Sequence, residues 1–121
     1  MPEENPLANL DEETQNQIQE IQFLEQGFQQ LMMQKRAFNS ELNETDLSLK
    51  ELEKATGEVF KIVGGQIVIK STKEDLEKDQ KHKKELIETR LKNLDKQEKE
   101  LSERIEELRE KIMKKISSKP K

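Results

Sequence analysis

Catalysis and metal binding need particular side chains at fixed spacing, and this chain offers few of them. His82 is the only histidine. At helical spacing it falls on an outer f position among charged neighbours, where an exposed surface residue accounts for it. Cysteine is absent, which removes thiolate metal sites, disulfide frameworks and cysteine nucleophiles together. Gly64-Gly65 has neither a following GK[ST] nor a helix opening directly after it, so it is not a phosphate loop. Glutamates recur at i, i+3 and i, i+4, but on helices such pairs form solvated faces and salt bridges rather than acid–base dyads. These residues predict no enzyme, no metal and no cofactor.

The elements that carry these residues follow from composition and period. The chain has 121 residues, 40% of them charged and only 31% hydrophobic, too little apolar material for an ordinary compact core. It reads as one domain over 1–121. No basic-then-apolar leader opens it and no apolar run could span a bilayer, so a soluble cytoplasmic protein is expected. Residues 1–56 hold 4 basic against 12 acidic side chains, a balance of −8, and residues 57–121 hold 18 against 14, a balance of +4. The two halves attract each other. Acids interleave the lysines of the basic half, so no continuous stripe for nucleic acid forms.

Apolar residues fall on heptads. In the first half a seam runs Leu10, Thr14, Gln17, Ile21, Leu24, Phe28, Leu31, Lys35, Phe38, Leu42, Thr45, Leu49, Leu52, in unbroken alternation of four and three. The second half repeats it from Glu77 through Ile87, Leu94, Leu101, Ile105 and Leu108 to Ile112. The pattern predicts a helix over 9–56, capped by Asn9, and another over 72–117 with a Ser71/Glu74 capping box. Each would be about 60–70 Å long. Folded back antiparallel, Leu24 meets Ile105, Phe28 meets Leu101, Phe38 meets Leu91 and Leu42 meets Ile87. The fold axis then falls between Gly64 and Gly65, inside the β-branched stretch 58–70. A two-residue glycine turn suits a hairpin. In that register Phe60 opposes Ile69 and Ile62 opposes Ile67, giving one wholly apolar face. A lone hairpin of this kind is marginal and leaves two edges unpaired, so it is expected to assemble with strands of other subunits. The fold class is mainly α: an antiparallel two-helix coiled coil joined by a short β-hairpin that assembles into a β-barrel. The oligomerisation residues are Phe60, Ile62, Val63, Ile67, Val68 and Ile69.

The stretch EVFKIVGGQIVIKSTKEDLEKD, Glu58 to Asp79, set between two such heptad arms, resembles the β-type subunits of archaeal prefoldin, also called GimC. Val59-Phe60-Lys61 with Val63-Gly64 is its most specific part. Phe60 stands where the family commonly has tyrosine, keeping the ring and losing the hydroxyl. The resemblance implies an ATP-independent holdase. It implies a hexamer of two α-type and four β-type subunits, with hairpins in β-barrels and coiled coils below, that holds unfolded polypeptides near the coil tips and passes them to a group II chaperonin.

Residue positions supply candidate sites for that reading. Folding back at Gly64-Gly65 gathers Leu7, Leu10, Ile112, Met113 and Ile116 at the end remote from the hairpin. There few heptads hold the last turns, which are expected to fray and bind clients. Ile18, Phe23, Met32 and Met33 lie off the seam further in. Beside the end, Lys114, Lys115, Lys119 and Lys121 form a basic rim which, on the resemblance, would dock the chaperonin. The alternative function is a coiled-coil adaptor whose off-seam apolar residues bind one defined partner helix.

Overall fold

The computed structural model describes residues 11–118. Four elements follow in order: α1 Glu12–Lys54, β1 Val59–Val63, β2 Ile67–Ser71 and α2 Lys73–Ser118. The expected first cap, Asn9, lies outside the described residues, and α1 is capped by Asp11. The Thr14 amide donates to Asp11 Oδ1 at 2.7 Å, satisfying one of the donors that a helix start leaves open, and the Gln15 amide makes the first helical bond, to the Asp11 carbonyl at 3.0 Å. At the other end of α1, Lys73 Nζ donates to the Glu53 carbonyl at 2.9 Å, and Gly57 takes φ 98° to turn the chain toward β1. The start of α2 also differs from expectation by one residue. Ser71 is held in the strand ladder opposite Val59, so Thr72 caps instead, its Oγ1 accepting the Asp75 amide at 3.1 Å.

The chain divides into two compact units. The hairpin unit comprises residues 34–94. Its helix pair buries Thr45, Ile87 and Leu94 and half-buries Phe38, Leu42, Leu49, Leu52, Leu91 and the polar seam residues Glu77, Gln80 and Lys84. Thr45 meets its polar requirement locally, its hydroxyl donating to the Glu41 carbonyl one turn back at 2.8 Å. Cross-helix pairs flank the seam: Lys83 with Glu41 at 3.8 Å, Lys84 with Asp46 at 2.8 Å, and the Arg90 guanidinium 5.6 Å from the centre of the Phe38 ring.

The terminal unit comprises residues 11–33 and 95–118 of the described chain. It buries Thr14, Leu31, Ile105, Leu108 and Ile112, with Ile21, Leu24, Phe28 and Leu101 half-buried. Arg104 pairs with Glu20 on one edge of this helix pair at 3.2 Å and Arg109 with Glu25 on the other at 2.7 Å. By residue number the two bridges are offset equally, in opposite directions, from the expected Leu24–Ile105 layer. That is the signature of antiparallel g–g and e–e contacts. No helix of the described residues is long and apolar enough to cross a membrane.

The hairpin departs from the expected register by one residue. Val63 pairs with Ile67, Ile62 with Val68, Lys61 with Ile69 and Phe60 with Lys70. The glycine turn itself forms, with Gly64 at φ 63° and Gly65 at φ 75°, both in the left-handed region that glycine enters without strain. The Gln66 amide donates to the Val63 carbonyl at 3.4 Å. Yet the ladder resumes at Ile67, leaving Gln66 as an extra residue on the second side, as in a bulge. A shift of one residue turns every side chain of one strand to the opposite face. The single apolar face is therefore replaced by two mixed ones: Phe60, Ile62, Val68 and Lys70 on one, and Val59, Lys61, Val63, Ile67 and Ile69 on the other.

Candidate assembly and client-binding surfaces

All six hairpin residues expected in assembly are exposed, from 41% for Val63 to 67% for Ile62. Among the described residues the sheet has only two strands, so each strand has one edge without a ladder partner. The lysine on each face has an acid beside it. Lys70 meets Glu58 and Lys61 meets Asp79, each at 3.2 Å, and the second pair ties the hairpin to α2. Exposed pairs of this kind contribute little, about 0–1 kcal/mol, but they mute the charge on otherwise apolar faces. Phe60 and Ile62 line a groove with Leu52 and Leu76 of the helix ends. Lys61, on the opposite face, lines the same groove and reaches Asp79 of α2, so neither face belongs to the helix ends alone. Both faces keep exposed apolar side chains, Phe60, Ile62 and Val68 on one and Val63, Ile67 and Ile69 on the other.

In the terminal unit the expected client residues separate. Ile112 is 8% exposed and sits in the seam beside Leu108 at 1%, so it is part of the core. Met113 and Ile116 are exposed, while Leu7 and Leu10 lie outside the described residues. Ile18 and Met32 are half-buried. Ile18 and Ile116 occupy the e positions one heptad beyond the Glu25–Arg109 bridge on their respective helices. Phe23 and Met33 are among the most exposed large apolar side chains described. Sequence reading missed two others, Leu47 and Leu86 in the hairpin unit. Both stand singly on outer heptad positions, where periodicity gives no signal.

The end of α2 is joined to the start of α1 by ion pairs. Lys115, at a seam position, reaches Asp11 at 2.5 Å and Glu13 at 3.3 Å. The Lys115 ammonium and then the Thr14 hydrogen bonds keep the Asp11 carboxyl well below the usual carboxylate range, and the Asp11 partnership raises Lys115. Asp11 thus caps α1 and clasps α2 with one carboxylate. Of the expected docking lysines, Lys114 is exposed, Lys115 is engaged in this clasp, and Lys119 and Lys121 lie outside the described residues. His82 is exposed, and no cluster of the described residues has the make-up of a metal site.

Comparison with known proteins agrees with this geometry. The family model described as "Prefoldin subunit" matches residues 15–119. The prefoldin subunit beta of Archaeoglobus fulgidus is 35% identical over 113 residues, covering 92% of this chain and 97% of that protein. That of Pyrococcus furiosus is 33% identical over 108 residues, covering 88% and 92%. A crystal structure of the prefoldin beta subunit from Thermococcus strain KS-1 superposes with a TM-score of 0.86 at 31% identity, covering 93% of this chain and 98% of that one. Two long helices joined by a two-stranded hairpin, with a match running along almost the whole chain, place this protein in the prefoldin family of chaperone components, among its beta-type subunits.

Proposed function

We propose that the chain is the β-type subunit of a cytoplasmic, ATP-independent holdase. In this reading its hairpin joins those of α-type and further β-type subunits, two and four in all, in β-barrels. The helix pairs hold unfolded polypeptides near their remote ends and deliver them to a group II chaperonin. The observation that carries the reading is the exposed apolar hairpin with open strand edges on a prefoldin-family chain. Burying a large aliphatic or aromatic side chain stabilises by about 1.5–3 kcal/mol, so six exposed ones favour assembly strongly. Met113 and Ile116 offer exposed apolar contacts in the terminal unit, methionine adapting to varied client shapes. Lys114, with Lys119 and Lys121, supplies the basic charge for docking.

The decisive experiment mixes the chain with its α-type partner, confirms the complex by mass, and follows light scattering of several unrelated unfolded proteins without nucleotide. A holdase suppresses aggregation of all of them. Protection of none, with capture of one defined partner helix, would identify an adaptor instead.

A further inference from the structure

One stretch of α1 lacks what the rest of the chain has in abundance. From Asn16 to Met33 the outward c and f positions read Asn16, Gln19, Phe23, Gln26, Gln30 and Met33, spaced three or four residues apart. Each is exposed. The intervening b positions, Gln22 and Gln29, are uncharged and exposed as well. In a chain that is 40% charged, this outer face carries no charge. The only charged residues within the stretch, Glu20 and Glu25, are on the edges and engaged by Arg104 and Arg109. The outer face of α2 in the same unit is the opposite, with Lys99, Glu100, Glu103, Glu106, Glu107 and Glu110 all exposed. Solubility would be served by charge on both helices, so the neutral face calls for its own account.

We propose that this face of α1 is a lateral binding surface for extended segments of unfolded polypeptide, with Phe23 and Met33 as apolar anchors and the glutamine amides as hydrogen-bonding partners for client backbone. Three physical arguments carry it. A glutamine amide both donates and accepts, which matches the unpaired N–H and C=O groups of a chain without secondary structure. Without net charge the face neither attracts nor repels a client by its sign, so it discriminates little among sequences. Its size also decides against a folded occupant. The stripe is about 25 Å long and about 10 Å wide, far below the roughly 800 Å² per partner of a stable interface. It suits weak and reversible contacts with a flexible chain.

The inference rests on the holdase reading, and its test separates the two. The assembled complex is titrated with two fluorescently labelled, reduced and unfolded probes, lysozyme as a basic client and α-lactalbumin as an acidic one, at low and high salt. The Phe23→Ser/Met33→Ser variant should bind both clients about tenfold more weakly, from the loss of two apolar contacts, with oligomeric mass and helix content unchanged. A second variant, Gln26→Glu/Gln30→Glu, keeps both anchors. It should weaken the acidic client relative to the basic one by several-fold at low salt, the difference vanishing at high salt. Unchanged affinity for both clients in both variants would overturn the lateral site while leaving the holdase reading intact. A parent complex that binds neither client would overturn the holdase reading itself. Selective loss of one folded partner by the serine variant, with both clients still bound, would show the face to be an adaptor surface and overturn the proposal.

Discussion

Asp11 serves two elements with one carboxylate, and substitution can separate the two roles. Asparagine caps a helix about as well as aspartate, so Asp11→Asn should keep the start of α1 and lose only the attraction to Lys115. Asp11→Ala loses both. Amide exchange at Thr14 and Gln15 should therefore rise several-fold in the alanine variant and little in the asparagine one, while exchange in the last turn of α2 rises in both. The pH dependence follows from the two shifts. Asp11 is lowered, so its contribution is present above the ordinary carboxylate range and fades only as pH falls below it. Lys115 is raised, so its contribution is present below the ordinary lysine range and fades only as pH rises beyond it. Between those limits the clasp should hold at constant strength in pH-dependent exchange measurements. Gly27 offers a simpler test. It lies inside α1, and a Cβ added there would meet nothing within 4 Å, so Gly27→Ala should stabilise by about 0.5–1 kcal/mol and raise the melting temperature. Much at this scale was hidden in the sequence. Asn9 and Asp11 both qualify as caps, and nothing local says that Asp11 also meets Lys115, a hundred residues on.

Among the elements, the helices were legible and the hairpin only half so. An unbroken four-three alternation over many heptads leaves one orientation for each helix, and every described seam position turns inward as expected. The strands carry apolar residues at nearly every position, so moving one past the other by a residue costs little apolar contact, and Gln66 at the turn settles the register. Apolar side chains stand exposed on both faces, so each face can be tested. If the hairpins assemble, Ile62→Lys with Ile67→Lys should bury unpaired charge at a cost of several kcal/mol, and sedimentation should report dissociation. A double variant that keeps its full oligomeric mass would show that the hairpin is not the assembly module. In the terminal unit, a cysteine pair at Leu24 and Ile105 should close within one chain under oxidation, as the bridges at Arg104 and Arg109 on either side of that layer require. A chain that bridges only to other chains would refute the fold-back.

For the whole molecule, the proposed division of labour puts assembly in the hairpin unit and client contact in the terminal unit, so the two should fail separately. Met113→Ser with Ile116→Ser should weaken protection of an unfolded client several-fold while the complex keeps its mass in sedimentation. Replacing Lys114, Lys119 and Lys121 by Gln should weaken chaperonin binding, with the loss shrinking as salt rises. Lys115 is left out because its ammonium is committed within the chain. Composition and period alone pointed to partners, since the chain has too little apolar residue for an ordinary compact core and yet carries a β-branched hairpin. The heptad already sets Ile112 in the seam and Met113 outside it, and the structure buries the first and exposes the second, so counting Ile112 among client contacts runs against the chain's own pattern. The hairpin with apolar side chains on both faces also bears on how cells make the protein. Synthesised in excess over its partner subunit, the chain would display open strand edges to its own copies, which makes it prone to wrong pairing and to proteolysis. Balanced production of the two subunits, or capture of this one as it leaves the ribosome, would then be a condition of its survival.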